Sequence, residues 1–201
     1  MISDTQASRL MKHVQHRGMV RPRDLAAIGV DRRVLKRLVD RGELMRRSRG
    51  VYTLPDHEPT RHTGMAEVCA RAPSATVCLI SALDFHELTT QIAHAVWIMI
   101  DRKGRRPKIE YPPIEVVYAS GASLTAGVET HEIEGVKVRI TSPAKTVADC
   151  FKYRDCVGQD VAVEALRDCL HQRKATPSQI YEMAKIDRVA KMVRPYIEAL
   201  T

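Results

Sequence analysis

Through the first 40 residues the apolar positions keep helical spacing, and then they break into a short alternating run. Ala7, Leu10, Met11 and Val14 form one stripe behind a Ser3/Gln6 capping box, which predicts a first helix. A second, short helix is expected to open on Pro22 and to end at Gly29, a residue free to take the left-handed conformation that closes a helix. Asp31 is placed to cap a third helix, in which Val34, Leu35, Leu38 and Val39 face inward and Arg32, Arg33, Lys36 and Arg37 face solvent. Leu44, Met45, Val51, Tyr52 and Leu54 then surround Arg46, Arg47, Ser48, Arg49 and Gly50, which suits two short strands with arginines at the turn. Three helices and a basic hairpin predict a winged helix-turn-helix. Leu25 stands four residues before the turn glycine, where many such units carry alanine, so a wider helix crossing is expected.

Pro55 to Thr60 holds two prolines and no apolar periodicity, and the domain boundary is placed there: residues 1–58, then 59–201. Beyond it the pattern mixes helix and strand. Thr63 to Arg71 and Ser81 to Leu88 have helical spacing, whereas Ala95 to Ile100, Ile114 to Ala119, and the pair Glu129 to Ile133 and Val136 to Ile140 around Gly135 alternate as strands do. From Ser142 the chain turns helical: Ser142 caps, Pro143 takes the first position, and Ala144, Val147, Ala148 and Phe151 share a face. Further helices are expected from about Asp160 to His171, from Thr176 with a Thr-Pro-Ser-Gln179 capping box, and from about Arg188. The expected fold class is α+β, a winged helix-turn-helix followed by a mixed α+β domain that ends in helices.

The formal charge of +8 favours a polyanionic partner, and its distribution sharpens the point. Residues 1–60 hold 13 Lys and Arg against 7 Asp and Glu, so most of the excess sits on the predicted winged helix. Cys69, Cys78, Cys150, Cys156 and Cys169 are odd in number and contain no C-x-x-C pair, which argues against a disulfide framework or a zinc finger. Cys150, Cys156 and Cys169 are expected as buried free thiols. The most apolar run, Ala95 to Ile100, is too short to span a bilayer, and no signal-peptide pattern opens the chain. A cytoplasmic location without membrane association is expected.

The search for chemistry finds half-motifs. His86-Glu87-Leu88-Thr89-Thr90 begins like H-E-x-x-H, but Thr90 stands where the second metal-binding histidine is needed. Glu134 and Lys137 have the wrong spacing for a nuclease E-x-K, since an alternating strand would send them to opposite faces. No metal, cofactor or catalytic residue is assigned. An enzyme carried by the winged helix would need convergent acidic residues that the sequence does not supply. Arg102, Lys103, Arg105, Arg106 and Lys108 form the densest basic cluster outside the first 60 residues, and both a solvated loop and a nucleic-acid contact fit it.

Taken together, these residues resemble the AbiEi antitoxin family of bacterial type IV toxin-antitoxin systems. The likeness is carried by Gly42 to Tyr52, Ile80-Ser-Ala-Leu83, Tyr111 to Val117, Gly127 to Val136 and, most specifically, Thr141-Ser-Pro-Ala-Lys-Thr-Val-Ala-Asp-Cys-Phe-Lys-Tyr153. The resemblance implies a regulator that is not an enzyme. Its winged helix would bind double-stranded operator repeats and repress its own operon, and its C-terminal domain would counter a nucleotidyltransferase-like toxin without needing to touch it. Members without a toxin would act as plain transcription factors. On this reading Arg32, Arg33, Lys36 and Arg37 enter the major groove and Arg46, Arg47 and Arg49 hold phosphates. Lys145, Asp149 and Lys152, opposite the apolar face of their helix, are the expected antitoxic surface.

Overall fold

The computed structural model describes residues 2–201, with side chains from residue 5 onward. The chain is mixed α+β with two sheets. Its contacts divide it into two units, one ending at Pro73 and taking in Glu132–Val138, the other made of Ser74–His131 and Arg139–Thr201. The first unit thus runs past the boundary expected at residue 58 and includes a turn from far along the chain.

In the first unit, α1 (Ile2–Arg17) buries Leu10 and Val14, with Ala7 and Met11 packed against them. The Ser3 side chain of the Ser3/Gln6 cap expected there lies outside the described side chains; the Gln6 side chain accepts the Asp31 N–H at 3.1 Å. After β1 (Met19–Val20), Pro22 opens no α-helix. Arg21 and Asp24 clasp each other at 2.6 and 2.8 Å, and a single 3₁₀ turn, Ala26–Ile28, leads to Gly29. So short a segment between proline and glycine forms too few helical bonds to offset nucleation.

Gly29 does take the left-handed conformation, at φ 64°. Asp31 then accepts the Arg33 N–H at 2.7 Å and caps α2 (Arg32–Asp40), which buries Val34, Leu35 and Leu38. The hairpin β2 (Met45–Ser48) and β3 (Val51–Thr53) follows, and β1 adds to the far side of β3, giving an antiparallel sheet of order β1-β3-β2. The unit continues into α3 (Thr63–Arg71), buried at every position but Gly64 and Arg71.

The second unit carries β4 (Thr76–Val77), α4 (Leu79–Phe85), β5 (Val96–Asp101), β6 (Ile114–Ala119), α5 (Ala122–Thr125) and parts of β7 (Val128–Ile133) and β8 (Val136–Thr141), whose residues from Glu132 to Val138 belong to the first. The sheet order is β6-β5-β4-β8-β7, with β6 an edge strand parallel to β5. Glu134 and Gly135 both take positive φ, 47° and 73°, and so make the two-residue turn that joins β7 to β8. The remaining elements are α6 (Pro143–Lys152), α7 (Arg154–Val157), α8 (Gln159–His171), α9 (Pro177–Ile186) and α10 (Ala190–Leu200). Ser142 caps α6 through the Lys145 N–H, and the Thr176/Gln179 capping box forms at α9. Because α6 packs against α4, α8, α9 and α10, every residue from Ala144 to Phe151 is buried. Phe151 is fully buried in that core, where burial of such a side chain contributes about 1.5–3 kcal/mol.

Candidate nucleic-acid interface

The inward pull on Val34, Leu35 and Leu38 fixes the rotation of α2 and leaves Arg32, Arg33 and Lys36 exposed. The turn before it is tied to α1: Arg9 donates to the carbonyls of Ile28 and Gly29 at 3.1 and 3.3 Å. Across from α2, the hairpin exposes Arg46, Arg47 and Arg49. Arg32 and Lys36 of α2 and Arg46 of β2 line one recess of about 340 Å³, floored by Pro22, Leu35, Val39 and Tyr52. Among the described residues none of these three cations is paired with a carboxylate. Three such charges around one recess suit an anion, and an extended phosphodiester supplies anions at close intervals.

Two of the expected arginines are placed differently. Arg37 is half-buried on the flank of α2 rather than on its outer face. Arg47 sits where the β2–β3 register shifts between Arg46 and Ser48, and a bulge of that kind re-aims a side chain. Its Nε lies 3.2 Å from Oε1 of Glu67, a carboxylate only 3% exposed on α3. Arg47 therefore compensates a buried charge while staying partly exposed.

Residues 8–55 match the family of AbiEi antitoxin transcriptional regulators. The AbiEi-matching segment begins within α1, covers the turn, α2 and the hairpin, and stops before Glu67 and all of the second unit. The other segments that carry the resemblance, from Ile80 to Tyr153, lie outside it. No curated protein matches the chain. Among solved structures it is similar to the RV2827C protein from Mycobacterium tuberculosis, at 17% identity and a TM-score of 0.51, over 98% of this chain and 80% of that one. That likeness shows a shared fold.

Outside the AbiEi-matching segment, the face expected to be antitoxic is not a surface. Lys145 and Asp149 are fully buried, and only Lys152 is partly exposed. Lys145 Nζ donates to Asp149 Oδ1 and, at 2.9 Å, to Asp187 Oδ2 at the end of α9. Asp187 also accepts from Ser123 and faces Lys152 at 3.3 Å. Burial penalises both carboxylates, but Asp187, with three donors, is held below the usual range while Asp149 is pushed up to about 8. The two carboxylates raise Lys145 against the opposing effect of burial. Helical spacing marked one face of α6 as polar; the packing of helices around it turned that face into a buried charge network.

His86 proves structural in its contacts. Its Nε2 lies 2.7 Å from the Thr141 carbonyl, so that nitrogen carries the proton, and burial holds the ring below its ordinary value. Cys69, Cys78, Cys150 and Cys169 are buried and in no disulfide, whereas Cys156 is exposed, contrary to expectation, because α7 lies at the surface. Among the described residues no helix is long and apolar enough to cross a membrane.

Sequence reasoning also missed a polar clasp within the first unit. Glu134, in the turn at 132–138, accepts hydrogen bonds from Thr63 and, at 2.7 Å, from Thr60, with His57 Nε2 at 3.2 Å. Burial opposes the charge on Glu134, yet these partners outweigh it and lower its pKa. Residues 55–60, which composition marks as a linker, are thereby tied down. Only the positive φ shared by Glu134 and Gly135 was hinted at, through the glycine.

Proposed function

We propose that the first unit is a winged helix-turn-helix that binds duplex DNA, and that the protein is a transcriptional repressor of its own operon. The observation that carries this reading is the recess shared by Arg32, Lys36 and Arg46, beside an exposed Arg33 on a capped helix. In it α2 enters the major groove, where Arg33 reads base edges and Arg32 and Lys36 meet the flanking backbone. Arg46 and Arg49 hold phosphates from the hairpin. Arg37 contributes from the flank, and Arg47 supports the fold through Glu67.

The AbiEi match over residues 8–55 supports extending the role to that of an antitoxin in a type IV system, countering a nucleotidyltransferase-like toxin without direct contact. Its partner DNA would be an operator with repeats, and its place of action the cytoplasm. A second reading, a regulator that acts without a toxin, is favoured by the confinement of that match to the DNA-binding segment. The experiment is selection of duplexes from a random pool by the full chain, followed by co-expression with the neighbouring gene. Enrichment of a repeated motif found upstream of the operon supports repression, and rescue from growth arrest supports the antitoxin role. A pool without enrichment contradicts sequence-specific repression; growth arrest that persists favours the toxin-free regulator.

A further inference from the structure

We propose that the second unit carries a separate binding surface for single-stranded nucleic acid along the edge strand β6. The connection between β5 and β6, residues 102–113, opens with the basic segment at 102–108. Its course is fixed at both ends: Arg102 N–H donates to the Ala119 carbonyl at 2.9 Å, and Arg106 Nη2 donates to the Ile114 carbonyl at 2.8 Å. The segment therefore runs the length of β6, about 17 Å for a strand of this size. Arg102, Lys103 and Arg105 are exposed, and among the described residues none of them is paired with a carboxylate. The acids nearby are Asp101, whose Oδ1 accepts the Lys103 N–H at 2.7 Å, and the exposed Glu110 and Glu115.

A row of cations alone would suit any polyanion. What selects a single strand is the placement of Tyr111 and Tyr118, 70% and 39% exposed, the two exposed side chains among the described Phe, Tyr and Trp residues. Tyr111 lies just before β6 and Tyr118 near its C-terminal end, so one stands at each end of the basic run. Unpaired bases offer faces on which tyrosines stack while cations follow the backbone; a duplex hides those faces. The surface uses no residue of α2, so it stands or falls independently of the duplex reading.

The test is fluorescence anisotropy of the full chain with labelled 12-mers of oligouridine, oligothymidine and a duplex, each titrated with salt. Wild type is expected to bind the single strands, and the ratio of the two tells RNA from DNA. R102E/K103E/R105E is expected to flatten the salt dependence by about 2 log units, at roughly 0.7 per phosphate contact. Y111A/Y118A is expected to weaken single-strand binding about fivefold or more per tyrosine with the salt slope unchanged, and Y111F/Y118F to restore it. Replacing Arg32, Arg33 and Lys36 by alanine is expected to spare single-strand binding, even if duplex binding is lost. The proposal is overturned if wild type ignores single strands, if the tyrosine variants match wild type while the charge variant does not, or if the α2 variant alone abolishes single-strand binding. Melting curves of each variant exclude unfolding as the cause.

Discussion

Lys145 Nζ lies 2.9 Å from Asp187 Oδ2, and both side chains are fully buried. One ammonium thus bridges α6 to the end of α9 across 42 positions of sequence, while serving Asp149 as well. The two carboxylates are not equivalent. Asp187 gathers Lys145, Lys152 and Ser123, whereas Asp149 Oδ2 has no hydrogen-bond partner. Burial pushes Asp149 up to about 8 while Asp187 is held below the usual range, so Asp187 is the carboxylate better able to keep its charge beside Lys145.

Asp149→Asn is therefore expected to cost less than about 1.5 kcal/mol at pH 7, since burial disfavours the charge that the substitution removes. Asp187→Asn is expected to cost about 3–5 kcal/mol, because it leaves buried ammonium charge uncompensated. Urea unfolding of the two variants checks this. Equal costs, or the reverse order, would contradict the assignment.

Much of the fold is legible in the sequence because local signals and packing agree. The Asp31 cap, the stripe of α2, the Pro143 start of α6 and the Thr176/Gln179 box each depend on residues a few positions apart. What is not legible depends on distant partners. Periodicity marks Lys145 and Asp149 as polar, but only the helices enclosing α6 decide that they are buried, and only Asp187 makes that tolerable. Likewise Arg46, Arg47 and Arg49 read alike, yet the register shift at Arg47 and the buried Glu67 separate one from the other two. The short helix expected from Pro22 fails because its length, not its residue types, is limiting.

Arg47 and Arg49 are expected to behave differently on mutation. Arg47→Ala leaves Glu67 unpaired in a buried site and is expected to cost about 1–3 kcal/mol of stability. Arg49→Ala is expected to leave stability within about 0.5 kcal/mol and to flatten the salt dependence of duplex binding by roughly 0.9 log unit. Thermal melts and salt titrations of both variants decide it; an unchanged melt for Arg47→Ala would remove its structural role.

His86 gives the chain a pH dependence of defined sign. Burial holds it below 6.5, an effect only partly offset by its bond to the Thr141 carbonyl. The folded state therefore resists a proton that the unfolded chain accepts, so the contribution of His86 to stability is present above 6.5 and is lost as pH falls through the folded value. Between pH 7.5 and 5, wild type is expected to lose more stability than His86→Gln, which keeps a side-chain N–H for the carbonyl. Parallel curves for the two proteins would show that His86 does not titrate as its burial requires.

The central claim, that α2 is a DNA-reading helix, is tested most directly by duplex binding of the full chain against its selected operator and a scrambled duplex, across a salt series. Wild type is expected to prefer the operator, and Arg33→Ala to lose about 1–3 kcal/mol on the operator while its affinity for the scrambled duplex falls far less. An Arg33→Ala protein that keeps the wild-type preference, or a wild type that binds neither duplex, would contradict the account.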